Sequence, residues 1–162
     1  MRDKIENLPE NVEYHSNIFD DEMLEAAAKV LPTTVRKVRW DDLDDNPKAP
    51  NAIIEMKNLL LEKFPYLKLN TSILKRYSQG EESGAYSLHR DPEEFMKAPL
   101  VYITLSGEAV FSLTFDQKLI SVRCRKGTVI ILKDPTINHV VTPPGGAQRM
   151  FLFFGWSEDN LK

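Results

Sequence analysis

The chain has 162 residues, 42% of them hydrophobic, and its 21 Lys and Arg against 24 Asp and Glu leave a formal net charge of -3. That composition supplies one compact core and excludes the strongly basic balance of a protein that lives on nucleic acid, though a local basic groove stays open. No apolar run approaches the roughly 20 residues that span a bilayer, so no membrane partner is expected.

The opening MRDKIENLPENVEYHS is charged throughout and carries no signal-peptide pattern. The single cysteine, Cys124, has no second thiol to pair with and fits a reducing compartment. A cytoplasmic location is therefore expected. His15 falls in this polar N-terminal stretch and reads as incidental.

Up to about residue 66 the pattern is mostly helical. DDEMLEAAAKVL, from Asp20, puts acids in a first turn and spaces Met23, Leu24, Ala27 and Leu31 for one helical face before Pro32 stops it. TTVRKVRW follows, an amphipathic strand with Val35, Val38 and Trp40 apolar, then the acidic turn DDLDDNP. APNAIIEMKNLLLEKF, from Ala49, aligns Ile53, Met56, Leu60 and Phe64 along a second helical stripe that Pro65 ends.

After residue 66 the period becomes two. Eight strands are expected, at 70–77, 83–89, 100–105, 109–115, 118–124, 127–132, 137–142 and 148–156, separated by the turn chemistry of SQGEES, SG, DQ, RKG, KDPT and PPGG. Short, evenly spaced strands behind two helices predict a mostly β fold. The expected architecture is a double-stranded β-helix, or jelly roll, with the two helices packed on one sheet. A single domain, 1–162, is expected. Residues 1–66 give helical support and a substrate-facing segment, and 67–157 form the jelly-roll core.

The stretch YSLHRDPEEF places His89 two residues before Asp91, with Pro92 next. Aspartate before proline is ordinary turn chemistry, and HxD by itself does not separate a turn from a metal site. His139 opens the seventh expected strand. In a jelly roll that strand can neighbour the one ending at His89, bringing two imidazoles and a carboxylate to one mouth. This is the facial set that holds non-haem Fe(II) and leaves positions open for a chelating cosubstrate and O2. Arg149 follows ten residues after His139, at the head of the last strand. Pointed inward, it can hold a carboxylate in a bidentate pair. Phe151 and Phe153 then share its face and make an apolar wall.

These strings resemble the Fe(II)/2-oxoglutarate-dependent oxygenases, the AlkB-like branch most closely. The resemblance covers residues 70–156 and is carried by LKRYSQG, YSLHRDPEE, VYITLSGEAVFSL, GTVIIL, NHVV and QRMFLFF. It implies Fe(II) held by His89, Asp91 and His139, with 2-oxoglutarate and O2 as cosubstrates. It implies that Arg149 binds the C5 carboxylate and that Tyr77 hydrogen-bonds the same cosubstrate. Lys75 shares the parity of Tyr77, which places a second cation near the cosubstrate. Two departures stand out. The AlkB-like repair enzymes resemble N-x-Y where this chain has Lys75-Arg76-Tyr77. They end in RxNxTxR where this chain runs from Arg149 to Gly155, so Gly155 replaces the second arginine.

The function implied is a dioxygenase that hydroxylates or oxidatively demethylates a substrate, turning 2-oxoglutarate into succinate and CO2. The substrate stays open among a nucleic-acid base, a protein side chain and a small metabolite, and the oligomeric state is not legible. Substrate contacts are expected from PEEFMKAP, SQGEESG and the Arg36, Lys37, Arg39 and Trp40 strand, with PEEF read as a solvated loop or lid. Two other readings remain. One is a non-catalytic jelly-roll binding module that retains the motif. The other is a cupin-like metalloenzyme without a cosubstrate, for which an inward Arg149 has no use.

Overall fold

A computed structural model describes residues 8–77, 91–142 and 148–161. The first helix, α1, spans Asp21–Ala28; the Asp20 carboxylate caps it by accepting from the Met23 amide at 2.8 Å, and Leu24 and Ala27 are buried. The second, α2, spans Asn51–Lys63 with Pro50 at its N-cap, and buries Ile53, Met56 and Leu60 as the stripe requires. Lys57 is buried on the same helix and is held by Asp44.

Nine strands are described: β1 (Val12–His15), β2 (Lys37–Trp40), β3 (Thr71–Tyr77), β4 (Leu100–Ser106), β5 (Ala109–Phe115), β6 (Lys118–Cys124), β7 (Val129–Leu132), β8 (His139–Thr142) and β9 (Arg149–Gly155). They form a six-stranded sheet in the order β1-β7-β4-β9-β3-β2 and a three-stranded sheet in the order β6-β5-β8. The strand expected at 83–89 lies outside the described residues. Seven of the eight expected strands are present within a residue or two of their bounds.

The N-terminal region does more than support the sheet. β2 pairs antiparallel with β3, and β1, which the sequence reading left as polar chain, pairs with β7. β1 has one short alternation. Val12 and Tyr14 join the apolar layer between the sheets, while His15 turns away, donates from Nε2 to the Glu13 carboxylate at 2.7 Å and packs its ring 4.6 Å from Phe64.

Period-two alternation splits the large sheet into two faces. On β4, Val101, Ile103 and Leu105 join β9's Leu152 and Phe154 under the helices. Leu100 and Tyr102 look the other way, toward Phe111, Val122 and Cys124 of the small sheet. Each large apolar side chain so buried contributes about 1.5–3 kcal/mol.

Two turns close the two ends of β5. Asp116 and Gln117, at φ 54° and 63°, make the two-residue connection between β5 and β6, as the mirror-image hairpin turns require. Gly107 has φ 74°, and a Cβ there would overlap the Gln148 carbonyl oxygen. Only glycine lets the β4–β5 turn approach the chain where β9 begins at Arg149.

Candidate active site

A cavity of about 320 Å³ lies between the sheets, lined by residues from β2, β3, β4, β5, β6, β7, β8 and β9. His139, the first residue of β8, is 1% exposed and its ring stacks on Phe111 with centroids 5.4 Å apart. Its Nδ1 lies 3.1 Å from the Ile137 carbonyl, which can only accept, so Nδ1 carries the proton. The lone pair on Nε2 then faces the cavity, 3.5 Å from Oδ2 of Asp91. A backbone carbonyl behind an imidazole is the arrangement that fixes the tautomer of a metal-binding histidine.

Tyr102 completes this end of the site, and the sequence reading missed it. Its phenol donates to Oδ2 of Asp91, and its oxygen also lies 3.1 Å from Nε2 of His139. Burial first, and then the Asp91 carboxylate, hold the phenol protonated well above its usual range. The signal for it was the parity of LVYITL. Its odd members pack under the helices, leaving Leu100, Tyr102 and Thr104 on the opposite face, where Tyr102 and Thr104 reach the cavity, and a tyrosine there brings its hydroxyl to whatever Asp91 and His139 hold.

Arg149 opens β9 directly across from Tyr77 of β3. It is 2% exposed, with its guanidinium 4.6 Å from the Tyr77 ring and 5.1 Å from the Phe151 ring. The inward orientation expected for Arg149, Phe151 and Phe153 is what the fold gives, since all three line the cavity. A guanidinium that keeps its charge in apolar surroundings is suited to a bidentate carboxylate. Lys75 also lines the cavity, its Nζ 4.7 Å from the Tyr77 ring. Cys124 lines it too. Burial pushes its thiol up to about 12, with the Arg149 charge acting in the opposite sense, so it stays a neutral wall residue.

His89 lies outside the described residues. Among the described residues the structure therefore brings together Asp91, His139, Arg149, Tyr77 and Lys75 in one cavity. The donor set fits a first-row metal as far as it is described: one carboxylate and one imidazole nitrogen of fixed tautomer, converging within 3.5 Å.

PEEF is not a solvated loop. Glu93–Phe95 form a single 3-10 turn, and Phe95 is 2% exposed, edge-on to Phe153 at 5.1 Å. Glu94 takes a bidentate pair from Arg39 of β2, at 2.8 and 2.9 Å, and accepts from the Ser157 hydroxyl at 2.7 Å. Arg39 above all holds the Glu94 carboxyl down at about 2. Arg39 also lies 5.3 Å from the Phe95 ring and donates to Asp41 at 3.0 Å. This clamp ties the segment after Asp91 to β2 and to the chain end. The pairing spans 55 residues, which is why the sequence concealed it.

An added Cβ at Gly155 would sit 2.7 Å from Phe153 Cζ and 3.2 Å from Phe95 Cδ1. The two rings occupy the space that a side chain at 155 would need.

No family model matches the chain, and no curated protein matches it. Solved structures do. A prolyl-4-hydroxylase from Pseudomonas putida is 13% identical with a TM-score of 0.61, over 91% of this chain and 93% of that one. HygX from Streptomyces hygroscopicus, solved with nickel and 2-oxoglutarate bound, is 13% identical with a TM-score of 0.64, over 91% and 81%. SnoK, a non-haem alpha-ketoglutarate-dependent carbocyclase from nogalamycin biosynthesis, is 12% identical with a TM-score of 0.65, over 91% and 79%. At such identities the likeness establishes the architecture: this chain is folded as a double-stranded β-helix with two helices packed on its larger sheet.

Proposed function

We propose that the chain is an Fe(II)- and 2-oxoglutarate-dependent dioxygenase that hydroxylates or oxidatively demethylates its substrate, with 2-oxoglutarate converted to succinate and CO2. One observation carries the reading: the Asp91 carboxylate and the His139 lone pair converge within 3.5 Å in a cavity that also contains the buried Arg149. The likeness to HygX, solved with nickel and 2-oxoglutarate bound and also with iron bound, and to the alpha-ketoglutarate-dependent SnoK supports it. The strings from LKRYSQG to QRMFLFF favour a place near the AlkB-like branch. No described helix is long and apolar enough to cross a membrane, and the lone thiol favours a reducing compartment such as the cytoplasm.

His89, Asp91 and His139 would hold the iron, and Arg149 with Tyr77 would hold the C5 carboxylate of 2-oxoglutarate. When bound, the iron and its two cosubstrates supply the oxidising power for attack on a C–H bond. The protein's own residues do the rest. The Ile137 carbonyl sets the His139 tautomer. Tyr102 orients Asp91 through its donated hydrogen bond. Phe111, Phe151 and Phe153 exclude water, which strengthens the Arg149–carboxylate pair. No side-chain general base is needed.

The test is turnover. Iron-loaded protein given 2-oxoglutarate and O2 should form succinate slowly without added substrate, and His139→Ala should form none. Folded, iron-loaded protein that makes no succinate with any substrate offered would favour the binding-module reading.

A further inference from the structure

β2 is the edge of the large sheet, and in its register with β3, Lys37 lies directly opposite Lys75. Both side chains line the cavity. Like charges directly across a strand pair repel, and neither lysine is in an ion pair with a described residue. Lys75 leans on the Tyr77 ring instead. Of the other cavity cations, Arg39 is spent on Glu94 and Asp41. Asp91 is the one acid among the described lining residues. A cavity biased this way, in a protein of net charge -3, is a local choice rather than a consequence of composition.

The proposed function, on which this inference rests, sharpens the imbalance. A divalent iron and Arg149 together are offset by Asp91 and the two carboxylates of 2-oxoglutarate. The two lysines are what remains. Lys37 is also set apart from the cosubstrate arginine, while Lys75, against the same Tyr77 ring as Arg149, is the nearer of the two. Lys37 and Arg149 are two strand spacings and two residues apart, or about 12 Å between backbones. We infer that Lys37 and Lys75 form an anion subsite at the mouth of the cavity. The substrate to be oxidised is then a small molecule carrying a compact oxyanion, a carboxylate or a phosphate. The cavity, at about 320 Å³, is of small-molecule size. This assigns Lys75 to the substrate rather than to the cosubstrate beside which its parity first placed it.

The test uses Ni(II)-loaded protein saturated with 2-oxoglutarate and titrated calorimetrically with inorganic phosphate, then with acetate to compare the two oxyanions. Wild type should bind one equivalent of an oxyanion with 2-oxoglutarate retained. Lys37→Gln should bind it about tenfold more weakly, and the Lys37→Gln/Lys75→Gln double variant should show no binding. 2-Oxoglutarate affinity should stay within about twofold of wild type in every variant. Lys37→Gln should melt no lower than wild type in anion-free buffer, because it relieves repulsion. Four results would overturn the inference: oxyanion binding unchanged in the double variant, displacement of 2-oxoglutarate by phosphate, weakened 2-oxoglutarate binding in Lys75→Gln, or a single-stranded oligonucleotide binding far tighter than phosphate with a steep salt dependence. If wild type takes no 2-oxoglutarate, the oxygenase reading fails before phosphate is added. The lysine dependence of phosphate binding to the Ni(II)-loaded protein alone then decides the subsite.

Discussion

Replacing Glu94 by Gln removes one end of the clamp that holds the segment after Asp91 to β2. The pair is bidentate, with Arg39 one-third exposed and the Glu94 side chain 16% exposed. The displacement of the Glu94 carboxyl from its ordinary 4.5 to about 2 would correspond to about 3.4 kcal/mol if none of it were screened. Solvent at Arg39 screens a large part, leaving about 1.5 kcal/mol. That is a fall in melting temperature of about 3–6 °C for a chain of this length. The sign with pH follows from the lowered carboxyl. The contribution is complete above the unfolded value near 4.5 and is lost as pH falls toward about 2. Urea denaturation of wild type, Arg39→Met, Glu94→Gln and the double variant gives the coupling directly. It should be about 1.5 kcal/mol at about pH 7 and much smaller at about pH 3. A coupling near zero at neutral pH, or one that does not change with pH, would show that the clamp is only a surface contact.

Two further outcomes follow from the rings and the phenol. Gly155→Ala should cost about 1–3 kcal/mol in urea denaturation, because the new Cβ forces Phe153 and Phe95 apart; unchanged stability would mean those rings have room to move. Tyr102→Phe should weaken Ni(II) binding about tenfold or more by calorimetry, since Asp91 loses the donor that orients it. Equal affinity would leave Tyr102 as a wall residue only.

Most of the architecture could be read from the sequence because the signals were local. Alternation marked β3 through β9, Pro65 closes α2 directly while α1 stops at Ala28, short of the Pro32 stop expected for it, and Asp116-Gln117 and Gly107 closed the turns around β5. β1 was hidden because four residues, two of them polar, carry too little alternation to stand out without β7 beside them. In the site, Arg149 was picked out by its spacing and strand parity and Tyr77 by the family resemblance, and the register puts them across from each other. Tyr102 had the same parity signal, but its role depends on where Asp91 and His139 converge, which only the packing of two sheets decides. Glu94 was misread because its partner, Arg39, arrives from β2 on the far side of α2 in the chain. The opposition of Lys37 and Lys75 is likewise a matter of register, invisible until β2 and β3 are paired.

The central claim is that Asp91, His139 and Arg149, with His89, are one site for iron and 2-oxoglutarate. Its most direct test is anaerobic. Fe(II) and then 2-oxoglutarate are added to metal-free wild type, His139→Ala and Arg149→Ala while the visible spectrum is watched for the weak charge-transfer band of the chelate. The account predicts a band in wild type that requires both additions, is absent in His139→Ala and is much weaker in Arg149→Ala at the same cosubstrate concentration. A folded wild type that gives no band, or a band indifferent to Arg149, would contradict it.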